Sequence, residues 1–297
     1  MKPASFEYLA PQSLEETLSI LQEYGSDAKL LAGGQSLVPM MNFRLAQPRV
    51  LVDLNGLAGL DTISNQGGTG LRVGAMARQR RLETDPLIGE AAPVLAEAMF
   101  YVAHPQIRNR GTLGGSLAHA DPAAELPVIT VALGARFRLR SSRAERWVRA
   151  EDFFQGLFTT SLQPEEVLVE VELPPVPPRT GWSFLEIAPR QGDYAMLGVA
   201  AMVTLDEQGV CRNARLVFLN AGDSPVDARE AARLLLGETP GEAVIEAAAA
   251  MAANREIDPW GNVHASPDYQ RHLAQVLTRR ALQQAVVAVA HQTTSSQ

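Results

Sequence analysis

Residues 174 to 178 read Pro174-Pro175-Val176-Pro177-Pro178. Prolines donate nothing to a sheet ladder and hold the backbone extended, so no continuous sheet strand or helix runs through this stretch. It predicts a border between two folding units, and a chain of 297 residues suits two units on a soft prior of roughly 150 residues each. The expected division is residues 1–176, split again near 55–60, then 177–290, then a tail of 291–297.

Ahead of the border, Ser13-Leu14-Glu15-Glu16 is a capping box. The helix it opens carries Leu14, Leu18 and Leu21 on one face and stops at Gly25. A short buried strand over 28–32 ends in Gly33-Gly34, and strands follow at 49–54 and 71–74, the latter beside the turn Gly67-Gly68-Thr69-Gly70. A helical stretch over 86–102 leads to a second glycine-rich segment at 110–117. An apolar helix over 123–133 and strands at 135–140, 146–149 and 167–173 complete the unit. Beyond the border, strands at 181–187, 195–205 and 214–220 precede helices at 227–236 and 242–253. A long last helix is opened by Ser266-Pro267-Asp268, and 293–297 reads as a frayed end. The fold class is α+β, ending in a small unit with a three-stranded antiparallel sheet and three helices.

Several function classes drop out on composition. Hydrophobic residues make up 46% and charged residues 20%, an ordinary globular balance. The longest apolar runs, 195–205 and 286–290, fall well short of the roughly 18 residues of a membrane span. Residues 1–11 contain Glu7 and Tyr8 and lack a leader's apolar core, so the expected location is cytoplasmic. Cys211 stands alone, which excludes an internal disulfide and any iron–sulfur cluster or cysteine zinc site built by this chain by itself. A formal net charge of −7 argues against nucleic acid as a partner. The arginine-rich stretch 136–149 reads as a solvated strand pair.

Two segments carry the chemistry. Ala32-Gly33-Gly34-Gln35-Ser36 and Thr112-Leu113-Gly114-Gly115-Ser116 each place adjacent glycines before a hydroxyl. Successive amides without a Cβ in the way make a concave anion site, and a pyrophosphate between two such turns would be gripped from both sides. A lone glycine pair more often makes only a tight turn. Neither segment is a GxGxxG or GxxxxGK[ST] fingerprint, and Gly34-Gln35-Ser36-Leu37-Val38 misses GxSxG at its last position. The five histidines include no HExxH or paired ligand spacing, so no metal site is expected. His119 is the only one near a candidate site, where it either contacts a ligand or bonds to nearby backbone; His272 and His291 read as exposed. Gly192-Asp193-Tyr194-Ala195 opens a strand of the second unit. Its ring either stacks on a flat heterocycle or packs between units.

Taken together, three motifs resemble one family. Leu31-Ala32-Gly33-Gly34-Gln35-Ser36-Leu37 with Asn42-Phe43-Arg44-Leu45 is the first. Ile107-Arg108-Asn109-Arg110-Gly111-Thr112-Leu113-Gly114-Gly115-Ser116-Leu117-Ala118-His119-Ala120-Asp121-Pro122 is the second, and Gly192-Asp193-Tyr194-Ala195 the third. In this order, and with the last helix Tyr269-Gln270-Arg271-His272-Leu273, they resemble the medium, FAD-binding subunit of bacterial molybdenum hydroxylases related to xanthine dehydrogenase. The resemblance implies a two-subdomain FAD-binding unit of the vanillyl-alcohol-oxidase (PCMH) type over 1–176, followed by that family's C-terminal unit. It implies FAD phosphates held by Ala32, Gly33, Gly34, Gln35, Ser36 and Leu37 and by Thr112, Gly114, Gly115 and Ser116. His119 would lie close by, Asp121 and Glu125 along the sugar and ribityl chain, and Asp193 and Tyr194 beside the isoalloxazine. Gln35 stands where some members have histidine, and Ser116 where many have asparagine.

The implied function is electron transfer in a heterotrimer, assembled as a dimer of heterotrimers. A large partner would hold the molybdenum cofactor, a small one two [2Fe-2S] clusters, and the flavin would pass electrons to an external acceptor. No residue here need act in the hydroxylation itself. Two other readings remain: a self-sufficient FAD oxidase or dehydrogenase of the same fold, and a binding protein that kept the fold without the flavin. The close backbone approach that the two glycine turns allow predicts that Gly33→Val or Gly114→Val would abolish flavin retention with the fold largely intact.

Overall fold

The computed structural model describes residues 2–294. The N-cap half of the capping box forms, Ser13 Oγ accepting from the Glu16 amide at 3.1 Å, while the Glu16 carboxylate reaches one residue past the cap to accept from the Gln12 amide at 2.7 Å. Helix Leu14–Tyr24 then ends at Gly25, φ 50°. It covers a three-stranded parallel sheet in the order Glu7–Leu9, Val50–Asp53, Ala28–Leu31. Leu18, Leu21, Val50, Val52 and Leu54 fill the core beneath it.

A five-stranded antiparallel sheet follows, in the order Ile63–Asn65, Leu71–Gly74, Val167–Leu173, Arg136–Arg140, Glu145–Arg149. Its central strand Val167–Leu173 serves two cores. Val167 and Val169 join the first core, while Leu168, Val171 and Leu173 join a larger one built with the helices of residues 79–132. A bulge between Leu168 and Glu170 accommodates the switch. Arginines 136, 138 and 140 are paired with Glu172, Glu145 and Glu170 on the outer face, and the Arg72 and Arg136 guanidinium groups lie over the Trp147 ring.

The single helix expected over 86–102 is two, Pro86–Ala91 and Pro93–Ala98. Pro93 cannot continue a helix whose preceding residue it forces out of helical geometry, and Ala92 sits at φ −144°.

The third sheet is antiparallel, Thr180–Ile187, Leu197–Leu205, Cys211–Leu219, with the two residues Val226–Asp227 added as a fourth strand. Both of its faces are covered. Leu197, Val199, Ala201 and Val203 pack under helices Arg229–Arg233, Glu242–Met251 and Pro267–Thr294, whereas Ala200, Met202, Val217 and Leu219 join the large core of the preceding unit. Gly181 lets the last helix cross directly over the sheet, since a β-carbon there would strike the Ala285 carbonyl. That helix runs on to Thr294, so 291–294 are helical rather than a tail; 295–297 lie outside the described residues. Among the described residues no helix is long and apolar enough to cross a membrane.

Candidate functional site

The parallel strands Ala28–Leu31 and Val50–Asp53 end side by side, and at their carboxyl ends the chain turns through residues 32–36. This is where open parallel sheets take ligands. Gly34 has φ 72°, a conformation that suits glycine. The next helix, Leu37–Asn42, begins with Val38 donating to the Gly34 carbonyl at 3.1 Å. Among the described residues, none of the five amides from 33 to 37 donates to any acceptor in the chain. Residues 33–37 are half-buried. Five successive partly sheltered N–H groups without acceptors are an anion site in waiting, because unpaired backbone donors away from water are costly. The Gln35 side-chain amide is spent locally, its Nε2 donating to the Gly33 carbonyl at 2.9 Å.

The second glycine segment is different. It is the first turn of helix Leu113–His119, capped by the Thr112 hydroxyl, which accepts from the Gly115 amide at 3.1 Å. Leu113 donates to Ala77 at 3.0 Å, Gly114 to Ala75 at 2.7 Å and Ser116 to Thr112 at 3.2 Å. Its amides are therefore committed to the fold, and it offers a ligand its hydroxyls and its lack of bulk.

The glycines bring the two segments together. A β-carbon on Gly33 would collide with the Arg110 carbonyl and lie 2.7 Å from the Gly111 Cα; one on Gly115 would lie 3.3 Å from the Ala32 methyl. On Gly114 it would lie 2.5 Å from the Ala75 methyl and 2.9 Å from the Ala75 carbonyl. Gly33 and Gly114 thus face protein in the Cβ direction. The expectation that valine at either position spares the fold is corrected: both would first disrupt packing.

Sequence reasoning missed a brace behind this junction. Tyr8 donates to Asp53 at 2.5 Å, Asn55 to Asp53 at 2.5 Å and to the Ala32 carbonyl at 2.9 Å, and Arg78 to Asn55 at 2.6 Å and to the Arg110 carbonyl. Burial pushes the Asp53 carboxyl up, but the bonds from Tyr8 and Asn55 outweigh it and hold it below the usual range. Burial, then the charge of Arg110, lowers the Arg78 pKa. No motif spacing links these residues, so no sequence signal pointed to them.

About 10 Å along helix Leu113–His119, by the usual rise per residue, lies a second group. The His119 ring packs on Phe158 at 5.1 Å between centroids, and burial lowers its pKa. Asp121 caps the turn that follows, accepting from the Ala123 amide at 2.9 Å. Glu125 opens helix Glu125–Ala132, and burial pushes its carboxyl up to about 7. Glu186, on strand Thr180–Ile187, is pushed up to about 8 by burial and then by Glu125, and its Oε2 is buried with no hydrogen-bond partner among the described residues. A glutamate inside an apolar strand was a signal available in the sequence.

Tyr194 is 72% exposed, so the alternative of a ring packed between units is not what forms. Its hydroxyl pKa is raised by partial burial and then by the charges of Asp121 and Glu125. Asp193 is exposed next to it. Among the described residues no group of three or more His, Cys, Asp or Glu is placed to hold a metal.

The site has known counterparts. Residues 4–176 match the family model described as FAD binding domain in molybdopterin dehydrogenase, and residues 182–285 match that of the CO dehydrogenase flavoprotein C-terminal domain. The chain is 44% identical over 286 residues, 96% of each chain, to the 6-hydroxypseudooxynicotine dehydrogenase complex subunit alpha of Paenarthrobacter nicotinovorans. Among solved structures, it superposes on a chain of carbon monoxide dehydrogenase from Hydrogenophaga pseudoflava with a TM-score of 0.94 at 37% identity, covering 97% of this chain and 99% of that one. For quinoline 2-oxidoreductase from Pseudomonas putida 86 the TM-score is 0.92 at 40% identity, with the same coverage.

Proposed function

The chain belongs to the FAD-binding medium subunits of the molybdenum hydroxylases, the xanthine dehydrogenase family, and on that premise we propose how its own residues hold the flavin. The observation that carries the proposal is the run of five unpaired amides at residues 33–37. These N–H groups take the pyrophosphate. Ala32 and Gly115 give it room, and the hydroxyls of Ser36, Thr112 and Ser116 close around it. Gly33, Gly34 and Gly114 shape the junction, Gln35 is tied to it, and Leu37 starts the helix behind.

From there helix Leu113–His119 would carry the binding surface on toward the sugar end of the cofactor. His119, Asp121 and Glu125 face its sugar and ribityl hydroxyls, and the exposed Tyr194 ring with Asp193 meets the isoalloxazine. Bound there, the flavin supplies an acceptor that takes electrons one at a time and releases them in pairs. Tyr194 shields a ring face from water. Glu125 and Glu186, with carboxyls raised to about 7 and about 8, hold protons near neutral pH at that end of the site.

A subunit with one cysteine, buried and with its thiol pushed up to about 11 by burial, supplies no cluster of its own. The electrons therefore arrive from a small [2Fe-2S] partner, fed by a large molybdenum-cofactor partner, and leave to an external acceptor. We extend the family's dimer of heterotrimers to this chain. Its compartment is taken as the cytoplasm, in keeping with a free thiol and no disulfide. The division into an FAD-binding unit over 1–176 and a C-terminal unit over 177–290 is supported by the matched stretches, which part between 176 and 182.

The test is an absorbance spectrum of the purified subunit, followed by heat release and identification of the yellow cofactor. One FAD per chain without iron–sulfur absorbance is expected. A colourless chain that takes up no added FAD overturns the assignment.

A further inference from the structure

Arg108 belongs to the segment Ile107-Arg108-Asn109, which flavin binding leaves without a role. The residue is 5% exposed, the only arginine so buried among the described residues. Nε and Nη2 donate to the Glu83 carboxylate at 3.0 and 3.3 Å, and Nη1 donates to the carbonyls of Val102 at 2.9 Å and Ala103 at 3.2 Å. Burial pushes the Glu83 carboxyl up, but the bonds from Arg80 and Arg108 hold it below its usual range, so it is ionised at neutral pH.

The guanidinium holds an unusual backbone. Ala103 has φ 42°, a left-handed conformation that residues with a β-carbon rarely adopt. Its carbonyl and the adjacent imidazole form the surface on which the Tyr194 turn sits. A β-carbon on Gly192 would lie 2.8 Å from the Ala103 oxygen and 2.7 Å from His104 Cε1, and Gly192 itself has φ 83°. The contact joins two separate parts of the fold. Glu83 lies in helix Gln79–Thr84 of the middle unit, whereas Gly192 lies between two strands of the last sheet.

We infer that Arg108 is a positioning residue for Tyr194: by fixing the carbonyls of Val102 and Ala103 it sets the surface on which the Gly192 turn seats, and so the place of the Tyr194 ring at the flavin. The inference rests on the flavin assignment above. A fork-shaped guanidinium suits the task because it binds a carboxylate and two carbonyls in fixed directions, which an ammonium cannot do.

The test uses the assembled enzyme, with FAD content, thermal unfolding and the visible circular dichroism of the bound flavin measured for Arg108→Lys, Tyr194→Ala and the double variant. Arg108→Lys is expected to retain FAD and to alter the flavin spectrum in the same sense as Tyr194→Ala. In the double variant the spectral changes do not add, and reoxidation rates show a coupling of about twofold or more. An unchanged flavin spectrum in Arg108→Lys with FAD retained, or fully additive changes in the double variant, overturns the inference and leaves Arg108 purely structural. If Arg108→Lys does not assemble, Glu83→Gln decides: it keeps the size of the side chain and removes the charge that anchors the guanidinium. A spectral shift toward that of Tyr194→Ala supports the inference, and no shift overturns it. Wild-type enzyme whose medium subunit carries no FAD overturns the flavin assignment itself, and the inference with it.

Discussion

Gly115 and Ala32 are distant in sequence, yet a β-carbon on Gly115 would stand 3.3 Å from the Ala32 methyl and 2.7 Å from the Thr112 hydroxyl oxygen. This opening between the two glycine segments lies beside the unpaired amides, the Gly33 nitrogen being 4.0 Å from the same point. In Gly115→Ala, improved helix propensity of about 1 kcal/mol offsets the displaced Thr112 hydroxyl. The unfolding temperature is therefore expected to stay within a few degrees while FAD affinity falls at least tenfold. Retained FAD after gel filtration would show that the opening is not used.

Gly114→Ala separates fold from site. The added methyl meets Ala75 at 2.5 Å, between two rigid elements, which corresponds to an overpacking cost of about 1–3 kcal/mol. Thermal unfolding should shift down accordingly, and FAD content should track the folded fraction rather than drop ahead of it.

The buried carboxyls predict the pH dependence of stability. Glu186 rises from an ordinary 4.5 to about 8 on folding, first through burial and then through Glu125. The folded chain then holds more protons than the unfolded chain between those values, so stability is highest at the acid end and is lost as pH rises toward 8. Glu186→Gln cannot ionise, and should flatten the slope of unfolding free energy against pH by about one proton over that window. Denaturant titrations at pH 6 and pH 8.5 check this; equal slopes in wild type and variant would show that Glu186 is ionised when folded.

Tyr194→Ala removes an exposed ring and should change stability by less than about 0.5 kcal/mol. The bound flavin's absorbance and reoxidation rate are expected to change. If both stay as in wild type, Tyr194 is not beside the flavin.

Asn55 links the Ala32 carbonyl to Arg78. Asn55→Ala leaves that carbonyl free to turn, and a loss of about 1 kcal/mol in stability with weaker FAD retention is expected, read by thermal unfolding and cofactor content of the same sample.

What the sequence disclosed depended on how local the cause was. Ser13, Glu16 and Gly25 act within one helix, and their roles could be read residue by residue. The prolines at 174–178 likewise act on their own backbone. The segment after Thr112 was read as a turn because two adjacent glycines disfavour a helix. It is helical because the carbonyls of Ala75 and Ala77, distant in sequence, take its first amides. Leu37–Asn42 stayed hidden for a related reason: it is six residues long with Pro39 in its first turn, too short for a periodic signal. The glycine positions of the site were legible from their motifs, but the Cβ direction of Gly33 and Gly114 was not. Nor was the chain of contacts from Tyr8 to Arg78, which exists only once two sheets meet.

The last sheet has one face turned toward its own helices and the other, with Ala200, Met202, Val217 and Leu219, turned into the core of the flavin half. On a ribosome, the glycine segments are complete long before that second face has been made. A chain stalled at residue 190 leaves the large core open on one side, a state that limited proteolysis of stalled chains would detect. The half that carries the glycine segments is therefore closed by a sheet made later in the chain, in the same half that supplies Tyr194.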